Sequence, residues 1–144
     1  MKHLIVGLGN IGDEYRDTRH NIGFRILDAW AQASNISFET GRYGDIAHTR
    51  LKNQQVVLLK PSGSDAGHNG LKNIADMLGT QNYARLRFGI GNDFPRGCQV
   101  DYVLGHFTPE QEDALSARVN IAVEAAQDAV LAGLQHAMCN YNNK

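Results

Sequence analysis

The sequence has few cysteines, and their placement excludes the sites that cysteines usually build. Cys98 and Cys139 are the only two among 144 residues, and neither belongs to a Cys-x-x-Cys motif. No spacing of cysteine and histidine suits a zinc site. We therefore expect two free thiols and no bound metal.

Long hydrophobic runs and a strong charge of either sign are also missing. No stretch approaches the roughly 18 consecutive apolar residues of a membrane span, and the apolar run after Lys2 and His3 is too short for a signal peptide. We expect a soluble protein without a membrane partner, with the cytoplasm as its default location. The formal net charge is −1, so a positive surface for a nucleic acid would have to be gathered locally.

The remaining composition is that of one globular domain. Hydrophobic residues make up 42% and charged residues 20% of the chain, which are ordinary proportions. A chain of 144 residues is long enough to bury a single core. We predict one domain over residues 1–144.

Helical and strand-like patterns alternate along the chain. Short apolar runs predict strands at 3–6, 36–40, 45–51, 55–59, 85–90 and 100–104. Amphipathic spacing predicts helices from Ile22 to about Ser34, over 71–78, and from a Thr108 cap to Gly133, with a fraying tail over 139–144. This order predicts an α/β fold with a mixed, mostly parallel β-sheet flanked by helices.

Residues 7–12 form a literal Gly-x-Gly-x-x-Gly directly after the first strand. Dinucleotide-binding loops share this spacing, but in them the third glycine opens a helix whose N-terminus faces the pyrophosphate. Here the helical pattern begins only at Ile22, well after Gly12. A dinucleotide-binding module is therefore the weaker alternative.

The loop before Ile22 carries side chains suited to catalysis. Histidine is the common side chain that accepts a proton near neutral pH, so His20 is a candidate general base. Asn10, Tyr15 and Asn21 can orient a carbonyl or a phosphate through hydrogen bonds. Taken alone, His20 is more simply interpreted as a cap of the following helix, but these neighbours favour a substrate site.

A second glycine-bearing loop, GSDAGHNG at 63–70, follows the strand that ends with LLKP. His68 and Asn69 lie at its end, before a predicted helix, which is typical of a ligand loop. Seven basic residues fall near these loops, namely Arg16, Arg19, Lys60, Lys72, Arg85, Arg87 and Arg96. Scattered basic residues usually form a solvated surface, so they indicate a nucleic-acid face only if folding gathers them.

The segment LIVGLGNIGDEYRDTRHNIGF at 4–24 closely resembles the amino-terminal signature of the bacterial peptidyl-tRNA hydrolase family. Further motifs of that family occur in its order: LLKP at 58–61, GSDAGHNGLKNI at 63–74, YARLRFGIGNDFPRG at 83–97 and DYVLGHF at 101–107. The resemblance covers nearly the whole chain. It implies hydrolysis of the ester between a peptide and the 3′ end of tRNA, without a metal or a cofactor.

The resemblance also implies roles for individual residues. His20 is the general base that activates water, and Asn10 contacts the substrate near the scissile bond. Tyr15 binds the tRNA end, and Asn69 holds the substrate or the attacking water. We place Asn21 and His68 in the same substrate-binding and tRNA-binding set. The implied partner is peptidyl-tRNA, and members of the family are usually monomeric.

The sequence departs from the family between Pro61 and Gly63, where only Ser62 stands. The resemblance implies a further helix and strand at this place, a unit of roughly 30 residues or more. We therefore predict a domain that is internally shortened near 62–63. The lost unit would include a second substrate-binding asparagine and the aspartate that bonds the catalytic histidine.

This shortening has a catalytic and a structural consequence. Without its aspartate the histidine should turn over slowly, and a catalytically impaired tRNA-binding remnant of the family becomes the alternative function. Asp65 is the only nearby carboxylate that could substitute, and a turn bond within its own loop is the simpler interpretation. A sheet without its missing strand would expose an edge that favours self-association or aggregation.

Overall fold

A four-stranded mixed sheet lies at the centre of the computed structural model, which describes residues 2–10, 12–62, 84–88 and 96–142. The strands follow the spatial order β1-β4-β3-β2, with bounds β1 (Lys2–Val6), β2 (Glu39–Thr40), β3 (Gly44–Leu51) and β4 (Gln54–Pro61). β1 runs parallel to β4, and the other two pairings are antiparallel. The predicted mixed sheet is confirmed, but the expected majority of parallel pairings is not found among the described strands.

The described residues also form four helices, α1 (Ile22–Ala33), α2 (Gln99–Val103), α3 (Pro109–Ala132) and α4 (Leu134–Tyr141). Two short 3₁₀ turns, Asp13–Tyr15 and Arg19–Asn21, lie in the loop between β1 and α1. None of the described helices is long and apolar enough to cross a membrane. The α/β class predicted from the alternation of patterns is confirmed.

The two longer helices form where their apolar periodicity predicts them. α1 buries its face with Ile26, Leu27 and Trp30. The start of α3 has the predicted capping box: Gln111 N donates to Thr108 Oγ1 (3.2 Å), and Thr108 N donates to Gln111 Oε1 (2.9 Å). Each bond satisfies an amide that the helix itself leaves without a partner.

Three of the predicted strands in the first half are also present, with changed bounds. The predicted strands at 45–51 and 55–59 are confirmed as β3 and β4, and both are slightly longer than predicted. They are joined at Lys52 and Asn53, and Lys52 takes a left-handed conformation with φ 55°. The predicted strand at 36–40 is reduced to Glu39–Thr40, because only these two residues pair with β3.

Three expectations for the second half are wrong. The strand predicted at 100–104 is not present, because these residues lie in α2 and its end, where Leu104 N donates to Val100 O (3.0 Å). Val100 is 59% exposed, so the apolar alternation does not mark the buried face of a strand. Of the strand predicted at 85–90, residues 85–88 form no regular secondary structure, and residues 89–90 lie outside the described residues. The tail does not fray over 139–141, because these residues belong to α4, which follows a turn at Gly133 (φ 96°) and buries Ala137. The helix predicted over 71–78 lies outside the described residues.

The core lies between one face of the sheet and the two longer helices. Ala47 and Leu58 are register partners that point to this face, and both are buried. α1 contributes the fully buried Trp30, and α3 contributes a buried stripe with Leu115, Val119, Ala122, Val123 and Val130. This packing fixes α1, and with it the loop that precedes α1, against the end of the sheet.

β1 forms one edge of the sheet among the described strands, because it pairs there only with β4. Leu4, at the middle of β1, is 51% exposed. An edge strand presents backbone donors and acceptors that can pair with another chain. The described part of the sheet is therefore consistent with the expected exposed edge.

Candidate active site

The loop after β1 crosses the start of α1 at a very short distance. Gly7 N donates to Leu59 O (2.9 Å), which carries the parallel pairing one residue beyond β1. A Cβ added at Gly7 would lie 2.6 Å from Gly23 O, and one added at Gly23 would lie 2.5 Å from Leu8 N. Any side chain at either glycine would force the loop and the helix apart. These glycines therefore serve close packing.

The same geometry bears on the dinucleotide alternative. The segment after Gly12 is a 3₁₀ turn over Asp13–Tyr15, and α1 begins only at Ile22. A dinucleotide loop needs a helix N-terminus directly after its third glycine, so that the amide groups face the pyrophosphate. The helix starts where the periodicity predicts it, which is too late for that role.

A side-chain amide joins the two ends of this loop. Asn21 Oδ1 accepts a hydrogen bond from Asn10 N (2.8 Å), and Asn21 Nδ2 donates to Asn10 O (2.9 Å). Asn21 is buried, and Gly9 lies so close that an added Cβ would be 2.8 Å from Asn21 Oδ1. The two bonds fix the backbone of Asn10 beside the Arg19–Asn21 turn.

Asn21 is predicted to bind substrate or tRNA, and the geometry favours a different role. Both its donor and its acceptor are used by the backbone of Asn10. A buried amide engaged in this way supports its neighbour, and Asn21 also lines the cleft that opens beside Asn10. The assignment of Asn21 to substrate binding stays a prediction, and the structure places the residue as a support of Asn10.

His20 lies at the middle of the Arg19–Asn21 turn and is half-buried, between two buried neighbours. Tyr15 is also half-buried, and its carbonyl accepts a hydrogen bond from Thr18 Oγ1 (2.7 Å). The structure thus brings His20, Asn10 and Tyr15 onto one loop that is braced internally. His68, Asn69 and Asp65 lie outside the described residues.

A polar cleft with a volume of about 210 Å³ opens beside Asn10 and extends to Asp28 and Lys60. Lys60 Nζ donates to Asp28 Oδ1 (2.7 Å) and lies 4.2 Å from the centroid of the Phe38 ring. The ammonium group is therefore already neutralised and stacked within the protein. An anionic ligand in this cleft would have to compete with Asp28 for it.

The other basic residues do not form one described face. Arg19 is buried at 7% exposure, and Arg16 lies 3.5 Å from Asp13 in an exposed ion pair. Arg85, Arg87 and Arg96 are exposed, and Lys72 lies outside the described residues. Arg19 in particular is not available to a nucleic acid, because its side chain is buried.

An ion pair between α1 and α3 also holds the loop that precedes α1. Arg25 Nη1 and Nη2 donate to Glu112 Oε1 (3.0 Å) and Oε2 (2.6 Å), and Arg25 also lies 3.9 Å from Asp17. Asp17 has a left-handed backbone with φ 62°. The hydrogen bonds from Arg25 hold the pKa of the Glu112 carboxyl below its ordinary value of 4.5, and they raise the pKa of Arg25.

Metal ligands are not gathered in the described parts of the chain. No group of three or more His, Cys, Asp or Glu side chains there is arranged to hold a metal ion. The loop that carries His20 also carries the side-chain amides of Asn10 and Asn21 and the phenol of Tyr15. Such a set can orient a carbonyl group and an attacking water without a cation.

A comparison with protein-family models identifies the family of the chain. The peptidyl-tRNA hydrolase family model matches residues 4–62 and 59–144.

The chain belongs to the peptidyl-tRNA hydrolase family.

Its similarity to individual members extends over whole chains. The peptidyl-tRNA hydrolase of Bacteroides fragilis is 48% identical and that of Phocaeicola vulgatus 49% identical, in alignments that cover 100% of both proteins. The crystal structure of peptidyl-tRNA hydrolase from Acinetobacter baumannii has the same fold, with a TM-score of 0.84 over 98% of this chain and 94% of that chain, at 24% identity. The resemblance predicted from the motifs is confirmed.

The alignments to these relatives are longer than the chain itself. Both alignments extend over 187 positions, whereas the chain has 144 residues. The two segments matched by the family model meet at residues 59–62, at the end of β4. This is the place where the sequence departs from the order of peptidyl-tRNA hydrolase motifs.

Replacement of Glu112 by Gln should remove a pH-dependent part of the stability. The folded-state pKa of Glu112 lies below the ordinary value, so the pair stabilises the fold above that value and the contribution is lost as the pH falls through the folded-state pKa. Because the side chains of Arg25 and Glu112 are 31% and 39% exposed, we expect a loss below about 1 kcal/mol at pH 7. Urea unfolding of both proteins at pH 7 and at about pH 3 measures it.

The control is Glu124→Gln, an exposed position in the middle of the same helix. For this control, the difference in unfolding free energy from the unchanged protein should not become smaller when the pH is lowered. A stability difference for Glu112→Gln that stays constant from neutral to acid pH would contradict the assignment of the ion pair.

Proposed function

We propose that the chain hydrolyses the ester bond between a peptide and the 3′ end of tRNA, with His20 as the general base. The observation that carries this proposal is the position of His20 between two buried, anchored neighbours, one of which fixes the backbone of Asn10. Membership of the peptidyl-tRNA hydrolase family supports the substrate class. An ester is a good acyl donor, so a neutral imidazole is a sufficient base.

The reaction needs one proton acceptor and one group that orients the carbonyl. The His20 imidazole takes a proton from water as the water oxygen bonds to the ester carbonyl carbon. The bond from that carbon to the ribose oxygen then breaks, and the imidazolium returns the proton to the leaving oxygen. Asn10 is the proposed contact to the substrate, and the two bonds from Asn21 to its backbone support this role. Tyr15 and, in the GHNG loop, Asn69 and His68 are the proposed contacts to the tRNA end.

We further propose that the domain is internally shortened between Ser62 and Gly63. The two-segment match of the family model and the difference between 187 aligned positions and 144 residues support this. The absent unit would hold the aspartate that the resemblance implies as the partner of the histidine. Loss of such an orienting acid costs a factor on the order of 10² to 10⁴ in rate. Turnover should therefore be slower than that of the longer relatives.

The shortening also favours a second candidate function, that of a tRNA-binding protein of the same family without catalysis. In that case the contacts to tRNA persist although the base no longer acts. For either function the proposed partner is peptidyl-tRNA and the proposed location is the cytoplasm, where translation supplies it. The edge that β1 forms among the described strands would, if it is free in the whole protein, favour self-association.

Hydrolysis should depend on His20. We expect the unchanged chain to release an N-blocked amino acid from tRNA, and His20→Ala to reduce that rate by roughly 10²-fold or more, as loss of a general base does. The measurement is the initial rate with both proteins at equal concentration. His48→Ala, an exposed histidine on β3, is the matched control and should keep the rate.

Equal rates for the unchanged chain and His20→Ala would end the hydrolase proposal. Retained binding of tRNA by both proteins would then support the non-catalytic candidate.

Restoring the absent unit should raise turnover. We expect that insertion of the corresponding segment of the Bacteroides fragilis relative between Ser62 and Gly63 increases kcat by at least about 10²-fold, because it returns the orienting acid. An inserted glycine and serine linker of the same length is the control and should give no increase. A segment that raises the rate no more than the linker does would contradict the proposed shortening of the site.

A further inference from the structure

Arg19, the residue directly before the proposed base, is buried although it carries a charge. Its exposure is 7%, and its guanidinium donates from Nη1 to Tyr102 O (2.9 Å) and from Nη2 to Gln111 Oε1 (3.2 Å). Its backbone N donates to Gly105 O (2.9 Å). The turn that contains His20 is therefore bonded at three points to the segment that leads from α2 into α3.

The planar group of Arg19 is also stacked between rings. Its Cζ lies 3.8 Å from the centroid of the Tyr102 ring and 5.7 Å from that of Phe107. The space is closely fitted, because a Cβ added at Gly105 would lie 3.1 Å from Arg19 Nη1. A flat guanidinium makes two directed bonds and a stack at once, and a lysine ammonium cannot reproduce this combination.

These contacts bind the turn to a rigid part of the fold. Gln111 Oε1 also accepts from Thr108 N in the capping box, so Arg19 is joined to the start of α3. Thr18, directly before Arg19, is 1% exposed and forms a bridge to His106. The chain on the N-terminal side of His20 is thus held by the segment that precedes α3.

Stability alone is a weak reason for a buried arginine at this place. Its hydrogen-bond partners among the described residues are neutral oxygens, so the cost of removing the charge from water is not offset by an opposite charge. Apolar residues of similar volume often replace such groups without loss of stability. Apolar residues cannot replace the directed hydrogen bonds that fix the turn.

We propose that Arg19 is a positioning residue for His20, which fixes the imidazole by tying the Arg19–Asn21 turn to the start of α3. This inference rests on the proposed role of His20 as the base. Asn21 holds the other end of the turn through Asn10, so Arg19 and Asn21 together determine where the imidazole lies. A base misplaced by about 1 Å can lose on the order of 10² in rate.

The test replaces Arg19 by Met, which keeps most of the side-chain volume and removes the planar guanidinium group with its hydrogen bonds and its charge. We expect kcat for an N-blocked aminoacyl-tRNA to fall roughly 10²-fold with KM changed by less than about 3-fold, since positioning of the base affects the chemical step. The imidazole NMR signals of His20 should shift or divide into several sets. Arg19→Lys should recover only part of the lost kcat.

Val130→Ala is the control, because it removes buried volume at the far end of α3 and is not a partner of Arg19. It should lower the melting temperature, as the loss of core volume does, and keep both kcat and the His20 signals. If Arg19→Met does not fold, Tyr102→Leu removes the ring stacked on Arg19 while the backbone carbonyl remains as an acceptor, and it should change kcat and the signals in the same direction.

Unchanged imidazole signals in Arg19→Met, or a loss of kcat no larger than that of Val130→Ala, would overturn the inference. The NMR signals also keep this test separate from the proposed function. If the unchanged chain proves inactive, the hydrolase proposal fails, and the response of the His20 signals alone decides whether Arg19 positions the ring.

Discussion

The geometry of the proposed site depends on one short turn, Arg19–Asn21, that buried side chains hold from both ends. Arg19 reaches the carbonyl of Tyr102 and the side chain of Gln111, and Asn21 binds both backbone groups of Asn10. Between them His20 is half-buried and sits on a backbone with little freedom. A general base acts well only when its position is fixed before the substrate arrives.

The glycines of the same loop have a mechanical purpose that supports this turn. Gly7 and Gly23 permit the contact of loop and helix that brings α1 against the end of β1. The motif Gly-x-Gly-x-x-Gly therefore occurs here for the reason that also places glycines in dinucleotide loops, namely close backbone approach, but without the helix N-terminus that binds a phosphate. The spacing of the glycines does not distinguish the two uses, whereas the position at which the next helix starts does.

Elements with a long, consistent pattern could be predicted from the sequence, whereas among the short ones β1 was predicted and α2 was not. α1, α3 and the hairpin of β3 and β4 follow from apolar periodicity, a capping box and a polar turn. The prediction of a strand at 100–104 failed because five residues are too few to distinguish apolar alternation from a helical turn. The chemistry of the residue types was enough to select the candidate base and its loop from the sequence. The roles of these residues came from the resemblance to the family motifs.

The supports of the site could not be predicted, because they join residues that are far apart in the chain. Arg19 is 83 positions from Tyr102, and Arg25 is 87 positions from Glu112. In the sequence Arg19 is one of seven scattered basic residues of the kind that usually form a solvated surface, and only the fold shows that its guanidinium is stacked on Tyr102 and buried. Burial of a charge depends on tertiary neighbours, which no local pattern encodes.

The central claim is that His20 supplies the base in this short member of the peptidyl-tRNA hydrolase family. The most direct measurement is the rate at which His20→Gly releases an N-blocked amino acid from tRNA, with and without added imidazole. We expect the variant to be slow and imidazole in solution to restore part of the rate, in proportion to its neutral form, while the unchanged chain responds little. A variant that is as fast as the unchanged chain, or that imidazole does not accelerate at all, would contradict the account.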